Sequence, residues 1–534
     1  MSEILSAFYI YHHYYLIFYN LLDYQVNTRL NDDDSIKMLR RIILLSILVL
    51  SFIPIDYYHH YLSSSPASAS YEPVLSYSTD DGIPSIIGDS ALKVEEVARG
   101  LDLPTTMAFL GPDDILVLEK DKGTVQRIVN GKMLPEPLLD VNVATSVERC
   151  MCGIAVSSQS DSVSSSSSGG GGTGTGLRTY VFLYYTEAEL TDSEDIIEGK
   201  APLGNRLYRY ELVNNKLINP VLLLDLPAIP GPRHNGGAIM IGPDNNLYVP
   251  IGDVDGSHMG GTGETKAQNY VDGVEPDGRS GILRITQDGQ PVGIGILGNT
   301  HPLYLYYAYG IRNSFGFDFD PITGNIWDTE NGPGNSDEIN LVEPGFNSGW
   351  QEIQGMVASN TNDGFNLEEN IVDFEGKGKY SDPELVWMDT EGPTAVKFLN
   401  SDKLGMQYVN DMFVGDVHNG WIYHFDLNED RTDLILDGLL ADKIAHTPEE
   451  MQETIFGEGF GGITDLEVGP DGYLYVVSIG QGAIYRIVPG VNGGAGGVTT
   501  DIDDDQQNEE EEDDLESEED DTSNDDGGGG DEEG

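Results

Sequence analysis

A turn leading directly into a short strand recurs along the chain from about residue 90 onwards. The turn combines Gly or Asp with Pro and then Asp, Asn or Gly, because Pro fixes φ at the second turn position and the small polar residues tolerate the conformations of the later positions. The turns are Gly111–Asp114, Gly242–Asn246, Asp320–Gly324 and Gly469–Gly472, and they lead into Ile115–Glu119, Leu247–Ile251, Asn325–Trp327 and Tyr473–Ser478. With no long helical period between them, these runs predict an all-β domain.

A second run rich in basic or aromatic residues closes most of these units. The closing runs are Thr124–Ile128, Gly281–Ile285, Gly420–Leu427 and Gly482–Ile487, and Tyr180–Thr186 and Met412–Gly415 belong to units without the Pro turn. Six such units in radial repetition indicate a six-bladed β-propeller of four-stranded antiparallel blades over residues 90–490. Periodicity alone leaves a large sandwich or barrel open. A closed ring requires Leu474–Ile487 to complete the sheet that begins near Lys93.

The N-terminal region has the features of an export signal. Arg40 and Arg41 precede Ile42–Ile55, a run without a charged residue, and Ala67-Ser68-Ala69 offers a small-residue cleavage site. We therefore expect residues 38–69 to be a signal peptide or an uncleaved membrane anchor, and residues 70–89 to be a linker. Residues 1–37 are then an N-terminal extension, and Met38 is an alternative start. The expected location is extracellular, at the cell surface or periplasmic; a buried helix of a cytosolic domain is the alternative.

The charge of the chain excludes one class of partner. Its 534 residues include 28 Lys and Arg against 90 Asp and Glu, a formal net charge of -62. Residues 501–534 hold 20 of the acidic residues and no Lys or Arg, but the remainder is acidic as well. Nucleic acid binding needs a cationic surface, so we expect no nucleic acid partner.

Two segments of low complexity flank or interrupt the predicted propeller. Residues 157–177 are rich in Ser and Gly, and we interpret them as a flexible insertion in a surface loop. Residues 491–534 are rich in Gly and then acidic, a composition that predicts a disordered tail.

Cys150 and Cys152 are the only cysteines, and a single Met separates them. They are too few for a zinc site of four sulfurs. A disulfide between them would close a very small ring. We therefore interpret both as small buried hydrophobic side chains of a strand.

The stretch Tyr309–Trp350 combines an Arg-Asn pair, an aromatic alternating run, a strand that ends in Trp327, and a polar Gly/Pro loop, Glu330–Glu338. Pro lacks the N–H that a strand needs, so the loop must interrupt the sheet. Loops on a rigid sheet scaffold commonly carry binding sites, although a solvated turn is the alternative.

Three stretches resemble the soluble glucose/sorbosone dehydrogenases, also called aldose sugar dehydrogenases. They are Arg233–Asp253, Tyr309–Asn313 with Glu330–Asn340, and Trp387–Asp416, within a match from about Val94 to Val488. The resemblance implies a six-bladed propeller that uses pyrroloquinoline quinone (PQQ) and Ca²⁺. Calcium takes oxygen ligands, backbone carbonyls included, and Arg suits an anionic cofactor.

The resemblance also implies roles for individual residues. Arg312 and Asn313 would contact the quinone, with Asn331 at the border of the site. The backbone carbonyls of Gly332 and Pro333 would bind the calcium ion that holds the cofactor. Asp337 would stand at the substrate end as a catalytic residue, and Glu338 matches a position of a structural calcium.

This chain departs from the family pattern at its charged positions. The expected catalytic His after Cys150–Val156 is replaced by Ser157, which is no base at neutral pH. His418 stands at the position of a cofactor-binding Lys, and Gly462 and Thr464 stand where the family has Arg.

Two further features carry alternative interpretations. His234 is either the substitute base or a wall residue bonded to backbone. Asp253, Asp255 and Glu264 lie in or beside the Gly-rich loop Gly252–Gly263, which wraps calcium or is solvated.

Two functions are consistent with these observations. The first is an exported quinoprotein that transfers a hydride from an aldose-type sugar or alcohol to Ca²⁺-bound PQQ and passes electrons to an external acceptor. The alternative is a non-catalytic extracellular propeller that has lost the cofactor and binds glycan, metal or protein.

Overall fold

The computed structural model describes residues 82–160, 177–189, 202–255, 264–360 and 365–490. The predicted N-terminal extension, the signal or anchor, most of the linker and the acidic tail lie outside these ranges. Within them, no helix combines the length and apolarity needed to cross a bilayer.

Short strands make up nearly all of the regular structure. In chain order they are β1 (Ser85–Ile86), β2 (Leu92–Arg99), β3 (Pro104–Gly111), β4 (Asp114–Glu119), β5 (Thr124–Val129), β6 (Lys132–Met133), β7 (Leu139–Asp140), β8 (Met151–Ser160), β9 (Leu177–Glu187), β10 (Gly204–Val213), β11 (Lys216–Leu226), β12 (Met240–Ile241), β13 (Asn246–Ile251), β14 (Gly281–Thr286), β15 (Tyr306–Tyr309), β16 (Ser314–Phe319), β17 (Ile326–Glu330), β18 (Asp337–Val342), β19 (Phe346–Asn347), β20 (Lys379–Tyr380), β21 (Leu385–Trp387), β22 (Pro393–Phe398), β23 (Met412–Asp416), β24 (Ile422–Phe425), β25 (Ile444–Ala445), β26 (Ile455–Glu458), β27 (Ile463–Val468), β28 (Leu474–Ser478) and β29 (Ala483–Pro489).

The described helices are short. Two are α-helices, α1 (Val357–Asn360) and α2 (Leu367–Asn370). The other segments are 3₁₀ turns, at Lys266–Gln268, Leu303–Leu305, Met406–Tyr408, Gly438–Leu440 and Pro448–Thr454.

The strands form six sheets in the described part of the chain, each built on four antiparallel strands. In each sheet we call the terminal strand that contacts the neighbouring sheets the first strand. The first strands of sheets 1 to 6 are β3, β8, β12, β16, β22 and β27. Additional strands correct the expectation of four per sheet. Sheet 3 also holds β19 and β20, and sheet 4 holds β25, all in parallel pairing. Sheet 5 gains β1, and β7 joins sheet 1.

The first strands of neighbouring sheets contact one another around a closed ring, with β13 of sheet 3 touching β16 of sheet 4. Threonine hydroxyls join some of these neighbours. Thr105 donates to the carbonyl of Met151 at 2.7 Å, and Thr464 donates to the carbonyl of Pro104 at 3.1 Å. Sheets arranged radially around a common centre define a β-propeller.

Sheet 6 closes the ring with strands from both ends of the described chain. Strand β2 pairs antiparallel with β29, in a register that sets Lys93 opposite Val488 and Arg99 opposite Ala483. The predicted pairing of the last strands with the sheet near Lys93 is confirmed.

The four Pro-containing turns occupy equivalent positions, between the first and second strands of sheets 1, 3, 4 and 6. In two of them a non-glycine residue takes a left-handed conformation, Asp113 at φ 54° and Asn245 at φ 63°. Asp and Asn tolerate this region because their side chains bond locally. The second strands of these sheets are almost wholly buried, as their apolar runs predict.

A charged cluster lies at the centre of the ring. Lys397 is buried on β22, with its Nζ 2.8 Å from Glu467 and 3.5 Å from Asp318. Burial alone would lower the pKa of this Lys, but the two carboxylates more than offset it and raise the pKa. The cavity beside the cluster measures only about 20 Å³, enough for roughly one water molecule.

The described strands enter two segments that composition predicts to be irregular. Strand β1 lies in the predicted linker and pairs with β26. Strand β8 continues into the predicted Ser/Gly insertion, where Ser157 pairs with Tyr180 and Ser160 pairs with Leu177.

The two cysteines are buried, as expected, but they form a disulfide, so their interpretation as two separate hydrophobic side chains is wrong. Cys150 directly precedes β8, Cys152 lies within it, and a register shift occurs after Met151. The two Cα atoms lie 5.0 Å apart, within the range that a disulfide spans.

Ring closure by β29 generates a testable prediction. A chain that ends at Gly482 lacks the strand that joins β2 to β28, so we expect it to lose cooperative thermal unfolding. A chain that ends at Gly490 keeps β29 and serves as the control. Calorimetry and near-ultraviolet circular dichroism compare the two; equal melting curves would contradict a structural role for the closure.

Candidate functional site

Polar side chains from several sheets meet at one end of the ring. Glu148 precedes β8, Arg312 and Asn313 precede β16, and Asp253 lies just beyond β13. Since first strands begin where second strands end, these residues converge although the sequence separates them widely. The site therefore draws on sheets 2, 3 and 4 together, with loops of sheet 5 beside it.

His234 and Asp253 form a buried pair at this end of the ring. The Nδ1 atom of His234 lies 2.5 Å from Oδ1 of Asp253, and the indole N–H of Trp350 donates to Oδ2 at 3.0 Å. The backbone N–H of His234 donates to Glu148 at 2.6 Å. Both side chains of the pair are fully or almost fully buried. This arrangement holds the imidazole in one orientation.

Asp253 stays ionised at neutral pH in spite of its burial. Burial by itself would raise its pKa, but the hydrogen bonds from His234 and Trp350 and the positive charge of Arg312 outweigh it. Together they hold the pKa at about 2. A buried carboxylate of this kind stabilises a protonated imidazole beside it.

Arg312 lies against the same assembly. Its guanidinium carbon is 5.5 Å from the centre of the Trp350 ring, a cation–π contact, and Nη1 donates to the carbonyl of Asn331. Burial lowers the pKa of Arg312, and the charges of Asp253, Glu148 and Glu330 oppose that shift. Arg retains its charge under such conditions because its intrinsic pKa is very high.

Asn313 and Asn331 line the site beside Arg312. Asn313 donates to Glu148 at 3.3 Å, and the N–H of Asn331 donates to the carbonyl of Asn313 at 2.9 Å. Within the described ranges, neither Nε of Arg312 nor Oδ1 of Asn313 has a hydrogen-bond partner, although both are buried. Buried polar atoms without partners cost free energy, so they favour a polar ligand at this position.

Asp337 holds two loops together. Its Oδ1 accepts the N–H of Gly332 at 2.7 Å, and its Oδ2 accepts the N–H groups of Glu391 and Gly392, both at 2.8 Å. Burial raises its pKa to about 6, although these backbone donors favour the ionised form. The structure thus gives Asp337 a positioning role in the loop; contact with substrate stays a prediction.

The polar loop is shorter than its composition suggests. Glu330 ends β17, and Asp337 and Glu338 begin β18, so only residues 331–336 are irregular. Glu330 accepts the N–H of Arg312 at 2.6 Å and the Ser348 hydroxyl at 2.7 Å. Glu330 therefore fixes the backbone at Arg312, a role that no sequence motif signals.

Glu338 lies inside the protein rather than on the loop surface. It accepts hydrogen bonds from the N–H of Gly355 and from the Gln354 amide. Burial raises its pKa to about 8. Burial and the charge of Glu338 raise the pKa of Glu330 as well. A cation or a proton beside Glu338 would relieve this repulsion.

The Gly332-Pro333 turn offers two backbone carbonyls of the kind that calcium binds. Among the described residues, no donor hydrogen-bonds to either carbonyl, while the N–H of Gly332 is held by Asp337. A Cβ atom at Gly332 would lie 1.9 Å from the carbonyl oxygen of Asn335, so only Gly fits here. Backbone carbonyls are common calcium ligands. The residues present therefore fit a calcium ion at the turn and a polar group at Arg312 and Asn313.

Ser157 and His418, two positions at which the chain departs from the family pattern, lie in different parts of the fold. Ser157 is part of β8, six residues beyond its start, and so roughly 20 Å along the strand from the site end. His418 lies at the site end, where its Nδ1 is 3.3 Å from the carbonyl of Thr390, and its ring faces Gly392. The residue in β8 is therefore too distant to act as a base, whereas His234 is central.

The fold and site together define an all-β propeller with a buried His–carboxylate pair, a buried Arg and a carbonyl-rich turn at one mouth. The model of the glucose/sorbosone dehydrogenase family matches residues 101–486. The chain belongs to the glucose/sorbosone dehydrogenase family.

Individual relatives are distant. An uncharacterized protein of Synechocystis sp. is 25% identical over 393 residues, which cover 72% of this chain and 84% of that one. The aldose sugar dehydrogenase YliI of Escherichia coli is 24% identical over 270 residues, 49% of this chain and 62% of that protein. Quinoprotein glucose dehydrogenase B of Acinetobacter calcoaceticus is 31% identical over 163 residues, 28% of this chain and 32% of its own.

Solved structures share the fold. A Thermus thermophilus oxidoreductase described as a glucose dehydrogenase is 25% identical with a TM-score of 0.52, over 74% of this chain and 100% of that chain. PQQ-bound aldose sugar dehydrogenase from Streptomyces coelicolor is 22% identical with a TM-score of 0.50, over 76% and 99% of the two chains. The second comparison supports the propeller fold alone.

The lowered pKa of Asp253 predicts a pH-dependent contribution to stability. The folded pKa of about 2 lies below the ordinary value of 3.8, so this contribution is complete above pH 4 and is lost as the pH falls towards 2. We expect Asp253→Asn to lower the free energy of unfolding by about 2 kcal/mol at pH 7. Denaturant unfolding should show the difference from wild type shrinking below pH 4.

Asp288→Asn is the control, because Asp288 forms an ion pair with Arg209 at the exposed surface. We expect it to change stability by less than about 0.5 kcal/mol. A difference between Asp253→Asn and wild type that stays constant from pH 7 to pH 3 would contradict the assignment.

Proposed function

We propose that this protein is a sugar dehydrogenase that oxidises an aldose-type sugar or related alcohol, with PQQ as hydride acceptor and Ca²⁺ at the Gly332-Pro333 turn. The observation that supports it most is the buried assembly of His234, Asp253, Trp350 and Arg312. In this assembly a positioned base, His234, and a cationic side chain, Arg312, lie together at one mouth of the propeller. Bound PQQ with Ca²⁺ would supply an electrophilic carbonyl that accepts the hydride.

His234 is the proposed base. With Nδ1 held by Asp253, the tautomer that carries hydrogen on Nδ1 can take a proton from a substrate hydroxyl at Nε2. The Asp253 carboxylate would stabilise the imidazolium that results, as the carboxylate of a catalytic triad does. Ser157 is thereby not needed for the reaction.

Arg312 and Asn313 are the proposed cofactor contacts. The guanidinium of Arg312 would satisfy its buried Nε by donating to an oxygen of an anionic quinone, whereas the buried Oδ1 of Asn313 would accept a hydrogen bond from an N–H or O–H group of the ligand. Asn331 would border the cofactor, since its Nδ2 already donates to the carbonyl of Pro393 at 3.0 Å. His418 would lie near the rim, at the position where the family resemblance implies a cofactor-binding Lys.

The proposal extends to architecture and location. Each of the six sheets would be one blade of the propeller, closed through β2 and β29. Export by residues 38–69, as a cleaved signal or an anchor, would bring the protein to an extracellular or periplasmic sugar and an external electron acceptor. The N-terminal sequence of the mature protein would distinguish cleavage from anchoring.

Reconstitution tests the cofactor. Purified protein treated with PQQ and Ca²⁺ should change the quinone spectrum and reduce an artificial dye with aldoses. Arg312→Ala should weaken PQQ binding by about tenfold or more, because it removes a charged donor from a buried site. A wild-type protein that neither binds PQQ nor reduces dye would instead support the non-catalytic propeller.

Substitution of His234 tests the base. We expect His234→Ala to lower kcat by about 100-fold or more while PQQ binding changes little, because general base catalysis contributes at this scale. His301→Ala, at an exposed position, is the control and should retain wild-type kcat. Steady-state kinetics with a saturating dye provides the measurement, and unchanged turnover would remove His234 from the mechanism.

A further inference from the structure

A second cluster of potential metal ligands lies on sheet 5, away from the residues of the proposed dehydrogenase site. It consists of Asp411, His424 and Asp426, whose ligand atoms all lie within 4.8 Å of one another. Of the described residues, these form the one group with such geometry.

The strand register brings the three side chains to one face. Strands β23 and β24 pair Phe413 with His424, so these two residues share a face of the sheet. Asp411 lies two residues before Phe413, and Asp426 lies two residues after His424. Because side chains alternate between the faces of a strand, both carboxylates project to the side of the imidazole.

The separations match the coordination sphere of a small divalent cation. The Nε2 atom of His424 is 3.0 Å from Oδ2 of Asp411 and 3.9 Å from Oδ1 of Asp426. Ligands about 2.0–2.1 Å from a tetrahedral zinc ion lie roughly 3.3 Å from each other. The observed distances fall on either side of that value, so rotation of side chains alone could bring the three atoms onto one ion.

The protein holds the ligands in place. The His424 ring packs against Phe413 with centroids 5.0 Å apart and against Tyr408 at 5.2 Å. The backbone N–H of Asp411 donates to the carbonyl of Tyr408, and the carbonyl of Asp426 accepts the N–H of Ile435. Such positioning lowers the entropy cost of binding an ion.

The cluster has an excess of negative charge. Over the described ranges, the salt bridges of Asp411 and Asp426 are with His424 alone, so two carboxylates share one imidazole. An ordinary His–Asp ion pair needs only one of them. A divalent cation would compensate both charges.

We propose that Asp411, His424 and Asp426 form a structural binding site for a divalent cation of the zinc class, which links β23 to the end of β24. Mixed imidazole and carboxylate ligands favour Zn²⁺ over Ca²⁺, which takes oxygen ligands. The side chain of Asp426 is 59% exposed, so an ion can enter from solvent, and water can complete the coordination.

The site is tested by titrating the full-length protein with Zn²⁺ after removal of metals by chelation. An excess of Ca²⁺ in all samples occupies the oxygen-rich sites and the acidic C-terminal segment. We expect His424→Ala to bind one Zn²⁺ fewer than wild type and Asp426→Asn to bind this ion at least about tenfold more weakly, by calorimetry. Zn²⁺ should raise the Tm of wild type but not of His424→Ala.

His446→Ala is the matched control. Its Nε2 lies 3.5 Å from Asp442, so it reproduces a His–Asp pair but is not part of the triad. It should bind Zn²⁺ as wild type does. Because Asp426 is exposed, we expect Asp426→Asn to fold, so this variant still tests the site if His424→Ala does not fold. Wild-type zinc stoichiometry and affinity in both site variants, or no zinc binding by wild type, would overturn the proposal.

Discussion

The pairing of β2 with β29 is the constraint on which the rest of the molecule depends. It joins residues separated by almost the whole described chain, and it completes sheet 6 with a strand from the opposite end of that chain. Once the ring is closed, the first strands start at one mouth. Residues as distant in sequence as Glu148 and Trp350 are then brought into the same network. The site is a consequence of radial closure rather than of any single motif.

Electrostatics at this mouth is organised around buried carboxylates. Asp253 is kept ionised by His234, Trp350 and Arg312, whereas burial drives the pKa values of Asp337 and Glu338 upwards. Backbone N–H groups satisfy Asp337, and this fixes the loops of sheets 4 and 5 against each other. The environment of each carboxylate thus determines its role, since one supports an imidazole and another fastens the loops that present carbonyl oxygens.

Much of the fold could be predicted from local chemistry. A Pro-containing turn with Asp, Asn or Gly has few alternatives, so the four turns, the buried strands after them and the closure of the ring were all accessible from the sequence. Arg312, Asn313 and the Gly332-Pro333 turn also stand out in the sequence, and their roles towards a cofactor or a metal, which the family resemblance implies, stay predictions.

Other features depend on distances that no local pattern encodes. The family pattern puts the expected base at the position of Ser157, but β8 runs away from the site, and His234 occupies the mouth. Glu148 and Glu330 contribute through contacts between sheets. Ring size alone argues against the disulfide, whereas the backbone around Met151 brings the two Cα atoms to 5.0 Å from each other. Each of these features depends on a contact in three dimensions between residues whose types are individually common.

The packing around Lys397 has a consequence for how substrates reach the proposed site. The cavity beside Lys397 has room for about one water molecule, so a sugar does not fit at this point between the first strands. Under the proposed function, the sugar substrate and the electron acceptor must therefore both reach the cofactor through the same mouth of the ring. The oxidised sugar has to depart before a bulky electron carrier can approach the cofactor, which imposes alternating occupancy.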